Sequence, residues 1–230
     1  MSSGASSPAS AAKLTPIEKY YRLHARIYDV TRWTFLFGRM AILADLAAMA
    51  KPVRILEVGC GTGKNLARLC QLFPQAAVTG LDLSEPMLAV ARRKTARFGS
   101  RVGFLHRAYA APLGDPAGYD LVLFSYALSM FNPGFETAIA AAAVDLAPGG
   151  FIAVVDFHAT RFPFFERWMG VNHVRMNAQL RPRLQAQFTP QMDRVDHAYG
   201  GVWQYLTFIG RKKTPPLNPQ GRDTNGLFRI

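Results

Sequence analysis

Val53-Arg54-Ile55-Leu56-Glu57-Val58-Gly59-Cys60-Gly61-Thr62-Gly63 decides the reading of this chain. Residues 53–58 have the composition of a buried strand, and they run without a spacer into alternate glycines and then into a helical pattern over 65–72. Such a turn sits at the carboxyl end of a parallel strand, where doubly wound sheets bind their ligands, and glycine lets a ligand approach the backbone closely. The spacing is G-x-G-x-G. It lacks the third glycine position of the dinucleotide fingerprint G-x-G-x-x-G. The P-loop pattern fails too, with Val58 at its first glycine and Asn65 after Lys64 where Ser or Thr would bind magnesium. The loop therefore reads as a nucleoside site without a phosphate cradle.

Outward from the loop, short apolar runs alternate with helical stretches. Strands are expected at 77–81, 102–106, 121–124 and 151–155, and helices at 86–98 and 135–146, the last one stopped by Pro148-Gly149-Gly150. This alternation predicts an α/β, doubly wound, Rossmann-like fold with a mostly parallel sheet. A basic helical stretch over 166–187 and an alternating run over 202–209 follow, the latter expected as a late antiparallel strand. Before the first strand, apolar residues recur at helical spacing over 17–28 and 33–49, so N-terminal helices precede the sheet. The expected division is a disordered tail at 1–13, N-terminal helices at 14–50 on the substrate side, a ligand-binding domain at 51–213 and a Pro-rich tail at 214–230.

Two acids face the glycine turn. Asp82 ends the second strand about 20 residues beyond the loop, where such folds use an acid to accept hydrogen bonds from ribose hydroxyls. It also fits a helix cap ahead of Ser84-Glu85-Pro86. Glu57 adds a second acid at the end of strand one, and the pair suits a sulfonium amino acid better than a pyrophosphate.

Composition bounds the rest. The 230 residues suffice for one domain with a sizeable core, and 50% hydrophobic with 18% charged residues fits a folded globular protein. The net charge of +12 attracts anionic partners, with nucleic acid and an acidic membrane leaflet as the candidates. The two cysteines, Cys60 and Cys70, supply neither a disulfide framework nor a metal cluster, so a reducing cytoplasmic compartment and no metal are expected. Neither a signal peptide nor a spanning run of about 20 apolar residues is legible, which leaves peripheral contact with the inner membrane surface as the expected form of any membrane association.

Residues 55–66, 81–88, 119–124 and 146–155 resemble the successive signature segments of class I S-adenosylmethionine-dependent methyltransferases. The resemblance implies backbone contacts to S-adenosylmethionine from Gly59, Gly61 and Gly63, with Glu57, Asn65 and Ser125 beside them. It also implies ribose binding by Asp82 and adenine packing by Leu83 and Met87. Many members place an acid after the third strand to bind the adenine amino group. Here His106-Arg107-Ala108-Tyr109 has Ala108 in that slot, so adenine recognition is expected from backbone groups near Ala108 and Tyr109.

Family likeness fixes the donor and leaves the acceptor open. Ser125-Tyr126-Ala127-Leu128 stands where base-amine methyltransferases carry N-P-P-[YF], so no stable nucleic-acid partner is expected. The segments 20–29, 31–33, 35–39, 168–176 and 203–211 resemble the bacterial N-methyltransferases of betaine-lipid synthesis. That resemblance implies trimethylation of the primary amine of diacylglyceryl-homoserine, and a partner enzyme that makes this lipid. Phosphatidylethanolamine, another small amine and RNA stand as alternative acceptors. Tyr21, Tyr28, Trp33 and Tyr126 are candidates to face the growing positive charge on nitrogen. Arg32, Arg39 and Arg175 are candidates for the head-group carboxylate, and Tyr126, His158 and His173 for catalysis. Phe35-Leu36-Phe37 and Phe162-Pro163-Phe164-Phe165, interleaved with arginines, are candidates for pressing into the bilayer interface.

Overall fold

The structure, a computed structural model, describes residues 36–171 and 174–213. Helix α1 (Arg39–Met49) leads into β1 (Arg54–Val58), α2 (Lys64–Leu72), β2 (Ala77–Asp82), α3 (Glu85–Thr95), β3 (Val102–His106) and β4 (Tyr119–Ser125). The chain continues through α4 (Phe135–Asp145), β5 (Leu146–Ala159), α5 (Pro163–Val171), α6 (Leu180–Gln187), β6 (Phe188–Ala198) and β7 (Trp203–Lys212). Seven strands form one sheet in the order β3-β2-β1-β4-β5-β7-β6, parallel except that β7 runs against both of its neighbours. The expected α/β, doubly wound architecture with a late antiparallel strand is therefore present.

Side-chain alternation along the central strands fills two cores. Ile55, Leu121 and Leu123 face α1, α2, α3 and α5, whereas Leu56, Val58, Val122 and Phe124 face α4 and α6. Strands buried on both faces need continuous apolar sequence, which is why β1 and β4 lack polar alternation. The β1–β4 boundary is where strand order reverses, and it opens the crevice at the carboxyl edge that such sheets use for ligands.

Three elements differ from expectation. The helix expected over 166–187 is two helices, α5 and α6. The helix expected over 33–49 begins at Arg39 within the described residues. Gly38 before it has φ +72°, and a Cβ there would lie 2.6 Å from the Tyr205 ring. Residues 188–198, for which no strand is expected, form the edge strand β6. The helix expected over 17–28 and both tails lie outside the described residues.

Candidate cofactor site

The glycine turn follows β1 directly. The N–H groups of Gly59 and Cys60 both donate to the Leu81 carbonyl, at 2.8 and 3.0 Å, which ties the loop to the end of β2. Gly61 has φ +52°, and a Cβ at that position would meet no atom within 4 Å, so its backbone faces open space. Gly63 is crowded instead: a Cβ there would lie 2.8 Å from that of Ala91 on α3. One glycine thus clears room for a ligand, and the other lets a helix close on the loop.

Asp82 lies across from this turn. Its Oδ2 accepts the Gly61 N–H at 2.7 Å, and its Oδ1 accepts the Ser84 N–H at 2.9 Å. The carboxylate therefore holds the loop and the turn ahead of α3 at once, and each oxygen keeps a lone pair for a ligand hydroxyl. Ser84, not Asp82, is the N-cap of α3, and no side chain hydrogen-bonds at that cap; Asp82 turns the chain just ahead of the helix.

Between these groups is a cleft of about 610 Å³, within the range of small-molecule sites. Gly59, Gly61, Asp82, Leu83, Met87 and Ala108 line one side. Leu83 is 70% exposed into it, an open apolar ledge. The backbone around Ala108 and Tyr109 lines the cleft as well, in the slot where the acid is missing. The Tyr109 side chain turns away: it is buried, its ring leans on Phe124, and its hydroxyl donates to Asp145 Oδ2 at 2.7 Å.

Glu57 and Asn65 do not line the cleft. They form a buried chain behind the glycine loop, in which Asn65 Nδ2 donates to Glu57 Oε1 and Arg39 Nε donates to Asn65 Oδ1, each at 2.7 Å. Glu57 Oε2 has no hydrogen-bond partner among the described residues. Burial pushes the Glu57 carboxyl up to about 7, with Arg39 and Asn65 pulling it down and Asp82 adding to the rise. Arg39, a sequence candidate for an acceptor carboxylate, is placed under the loop. The neighbouring Cys60 thiol is pushed up by burial and by Glu57, which keeps it protonated. Ser125 likewise stands outside the cleft, its hydroxyl buried.

Tyr126 does line the cleft, in the left-handed region at φ 56°. Its hydroxyl donates to the Phe37 carbonyl at 2.7 Å and its ring meets Phe157 edge-on at 4.7 Å. Burial, with Asp156 nearby, pushes the phenol up, so Tyr126 keeps its proton and shapes the wall instead of acting as a base. His158 is away from the cleft, and burial and Arg181 lower its proton affinity. Arg175 is exposed, its N–H donating to the Ser129 carbonyl at 3.0 Å. Tyr21, Tyr28, Arg32, Trp33 and His173 lie outside the described residues.

Several wall residues escaped sequence reasoning. Met130, Phe131, Asn132, Pro133, Gly134 and Thr137 close the cleft from the β4–α4 side. The Asn132-Pro133-Gly134 turn after strand four was the available signal. Two buried carboxylates position the walls without touching the cleft. Asp156 accepts the Ser129 N–H at 3.1 Å and the Phe157 N–H at 2.8 Å, which fixes the 3-10 turn Leu128–Met130. Asp145 anchors the 107–114 loop.

The residues present fit S-adenosylmethionine. A glycine turn without a phosphate cradle, a carboxylate across from it and an apolar ledge match a nucleoside, and a second acid buried behind the loop suits one carrying positive charge. Residues 55–150 match the family model described as a methyltransferase domain. The chain is 40% identical over 137 residues to the demethylmenaquinone methyltransferase of Thermus thermophilus, covering 56% of this chain and 60% of that protein. It is 39% identical over 114 residues to the trans-aconitate 2-methyltransferase of Methylobacterium nodulans, covering 48% of this chain and 42% of that protein. The chain thus spans less than two thirds of the length of these curated relatives. Among solved structures, it is similar to the 1,6-didemethyltoxoflavin-N1-methyltransferase of Burkholderia thailandensis with bound 1,6-didemethyltoxoflavin and S-adenosylhomocysteine. That likeness has a TM-score of 0.63 and 23% identity, and covers 90% of this chain and 94% of that one. The chain is therefore built on the Rossmann-like methyltransferase fold, and its residues 55–150 match the methyltransferase domain.

Proposed function

We propose that this chain is an S-adenosylmethionine-dependent N-methyltransferase whose acceptor is the primary amine of diacylglyceryl-homoserine, reached at an anionic membrane surface. The observation that carries the donor is the cleft at the β1–β4 reversal, with Gly61 open to it and Asp82 across from it. The acceptor rests on the resemblance of the segments flanking the domain to betaine-lipid N-methyltransferases and on the net charge of +12.

S-adenosylmethionine supplies a methyl group on a sulfonium centre. Asp82 accepts ribose hydroxyls, Leu83 and Met87 pack against the adenine, and backbone groups at 108–109 meet its edge. Glu57, behind the loop, favours the positive charge of the donor once it ionises. An amine attacks as its neutral form, and an α-amino group has an ordinary pKa of about 8. The acceptor end therefore has to exclude water and align the amine, which a wall built from Tyr126, Met130 and Phe131 does by burial. Asp82 is the one carboxylate among the described cleft residues, and it is engaged by two backbone N–H groups. Attack by a neutral amine needs no protein base: the methylammonium formed in the first and second transfers loses its proton to solvent before the next, and the third transfer, to a tertiary amine, leaves a quaternary ammonium with no proton to lose.

The test is incubation with isotopically methyl-labelled S-adenosylmethionine and membrane lipids, followed by mass spectrometry. Labelled mono-, di- and trimethylated diacylglyceryl-homoserine is the expected result. Label in phosphatidylethanolamine, in soluble amines or in RNA alone would overturn the acceptor. Failure to bind S-adenosylhomocysteine would overturn the donor.

A further inference from the structure

Helix α5 is apolar on two sides. Its inner stripe packs into the protein: Phe165 stacks on Trp203 with ring centroids 5.2 Å apart and planes 12° from parallel, and Met169 is buried. Its other side carries Phe164, 84% exposed, and Val171, 77% exposed, with Phe162 standing out just before the helix. Trp168, leaning on Phe165, is about half exposed. A surface helix of a globular protein ordinarily turns a polar face to water, so a second apolar stripe calls for an occupant.

We infer that the outer face of α5 docks onto an anionic lipid bilayer, a surface role that rests on the reading above that the acceptor lies in a membrane. Three observations favour this occupant. Arg161 and Arg167 flank the apolar side chains and Arg175 follows the helix, all exposed, and they belong to a chain with 27 basic and 15 acidic residues. Arg161 lies over the Phe162 ring at 5.2 Å, so charge and apolar surface are presented side by side, as interfacial helices require. Second, the patch is small: a few side chains of this size cover roughly 500 Å², below the ~800 Å² that each partner contributes to a typical stable protein interface. A bilayer needs no such area, because each apolar side chain gains by entering the acyl boundary independently. Third, α5 starts just past the carboxyl end of β5, on the edge of the sheet that carries the cleft. The segment after it returns to the cleft wall through the Arg175 N–H on the Ser129 carbonyl. Docking by α5 brings the cleft edge toward the membrane, and the Phe165–Trp203 stack ties the helix to β7.

The experiment is co-sedimentation of the full chain with vesicles of phosphatidylcholine alone and of phosphatidylcholine mixed with phosphatidylglycerol. The wild type is expected to bind the anionic vesicles and to leave them as salt rises. Phe164→Ser and Val171→Ser should each weaken binding about tenfold, and Arg161→Gln and Arg167→Gln about fivefold each with a shallower salt dependence. None of these residues lines the cleft, so unchanged calorimetric binding of S-adenosylhomocysteine confirms that the variants are folded. No binding to anionic vesicles, or binding that ignores the α5 substitutions, would overturn the inference. So would a wild-type dimer in solution that Phe164→Ser dissociates, because a second copy would then be the occupant. Failure of docking is separable from failure of the acceptor reading. Lipid methylation in detergent micelles without vesicle binding rejects docking alone, and vesicle binding through α5 without lipid methylation rejects the acceptor alone.

Discussion

The Tyr109 hydroxyl donates to Asp145 at the carboxyl end of α4, at 2.7 Å, and the same carboxylate accepts the Leu113 N–H at 2.8 Å and the Gly114 N–H at 3.4 Å. An acid in the last turn of a helix opposes the helix dipole. Asp145 stays there because it ties the 107–114 loop, and with it the cleft wall at Ala108, to the body of the protein. Asp145→Ala leaves the phenol and two backbone donors without their acceptor. It is expected to destabilise the protein by about 2–4 kcal/mol in urea unfolding and to weaken S-adenosylhomocysteine binding. Tyr109→Phe removes a single hydrogen bond and should cost about 1 kcal/mol with affinity nearly unchanged.

Asp82 holds the loop, and under the proposed function it also binds the ribose; ligand and side-chain changes together separate the two roles. Asp82→Ala removes the acceptor for Gly61 and Ser84 together with the ribose partner, and an affinity loss of about 10- to 100-fold is expected by calorimetry. A nucleoside analogue lacking the ribose hydroxyls should show a clearly smaller difference between the wild type and Asp82→Ala, the part that loop support contributes. A large remaining difference would assign Asp82 to loop structure alone.

Glu57 makes stability depend on pH. Its folded pKa of about 7 lies above the ordinary 4.5, so between these values the folded protein holds a proton that the unfolded chain releases. Stability from this group is complete below about pH 4.5 and falls as pH rises to about 7, by up to about 3 kcal/mol. Urea unfolding at pH 5 and pH 8 measures the difference, and Glu57→Gln should flatten it. A cationic ligand favours the ionised form, so donor binding at pH 6.5 should release protons, read as a buffer-dependent heat in calorimetry, and Glu57→Gln should abolish that part.

The loop, Asp82 and the parallel strands were legible because local sequence determines them: a buried parallel strand must be apolar, and a ligand-facing turn must be glycine. Strand β6 was not. It is an edge strand carrying Pro190, Asp193, Arg194 and Asp196, the polar and proline content that protects an exposed edge and erases the strand pattern. The helix read over 166–187 broke into α5 and α6 because similar composition continues across segments that pack on opposite faces of the sheet, Met169 on one and Leu184 on the other. Tyr126 and Tyr109 show the limit at the site itself. Both sit at the expected positions, but their hydroxyls are committed to Phe37 and Asp145, partners far away in sequence.

The glycines of the loop give the sharpest contrast between folding and binding. A Cβ on Gly63 would lie 2.8 Å from the Ala91 Cβ and 3.0 Å from its Cα, backbone that cannot move without shifting α3, and φ is +73°. Gly63→Ala therefore combines overpacking with left-handed strain and is expected to cost about 2–4 kcal/mol, lowering the unfolding midpoint whether or not ligand is present. A Cβ on Gly61 meets nothing within 4 Å and bears only the strain of φ +52°, about 1–2 kcal/mol. That Cβ would, however, stand in the cleft, on the path of the proposed donor. Gly61→Ala should accordingly leave most stability intact and reduce S-adenosylhomocysteine affinity by about tenfold or more. Equal affinities for Gly61→Ala and the wild type would mean that the donor does not contact this turn, and the cofactor site would have to be sought elsewhere in the cleft.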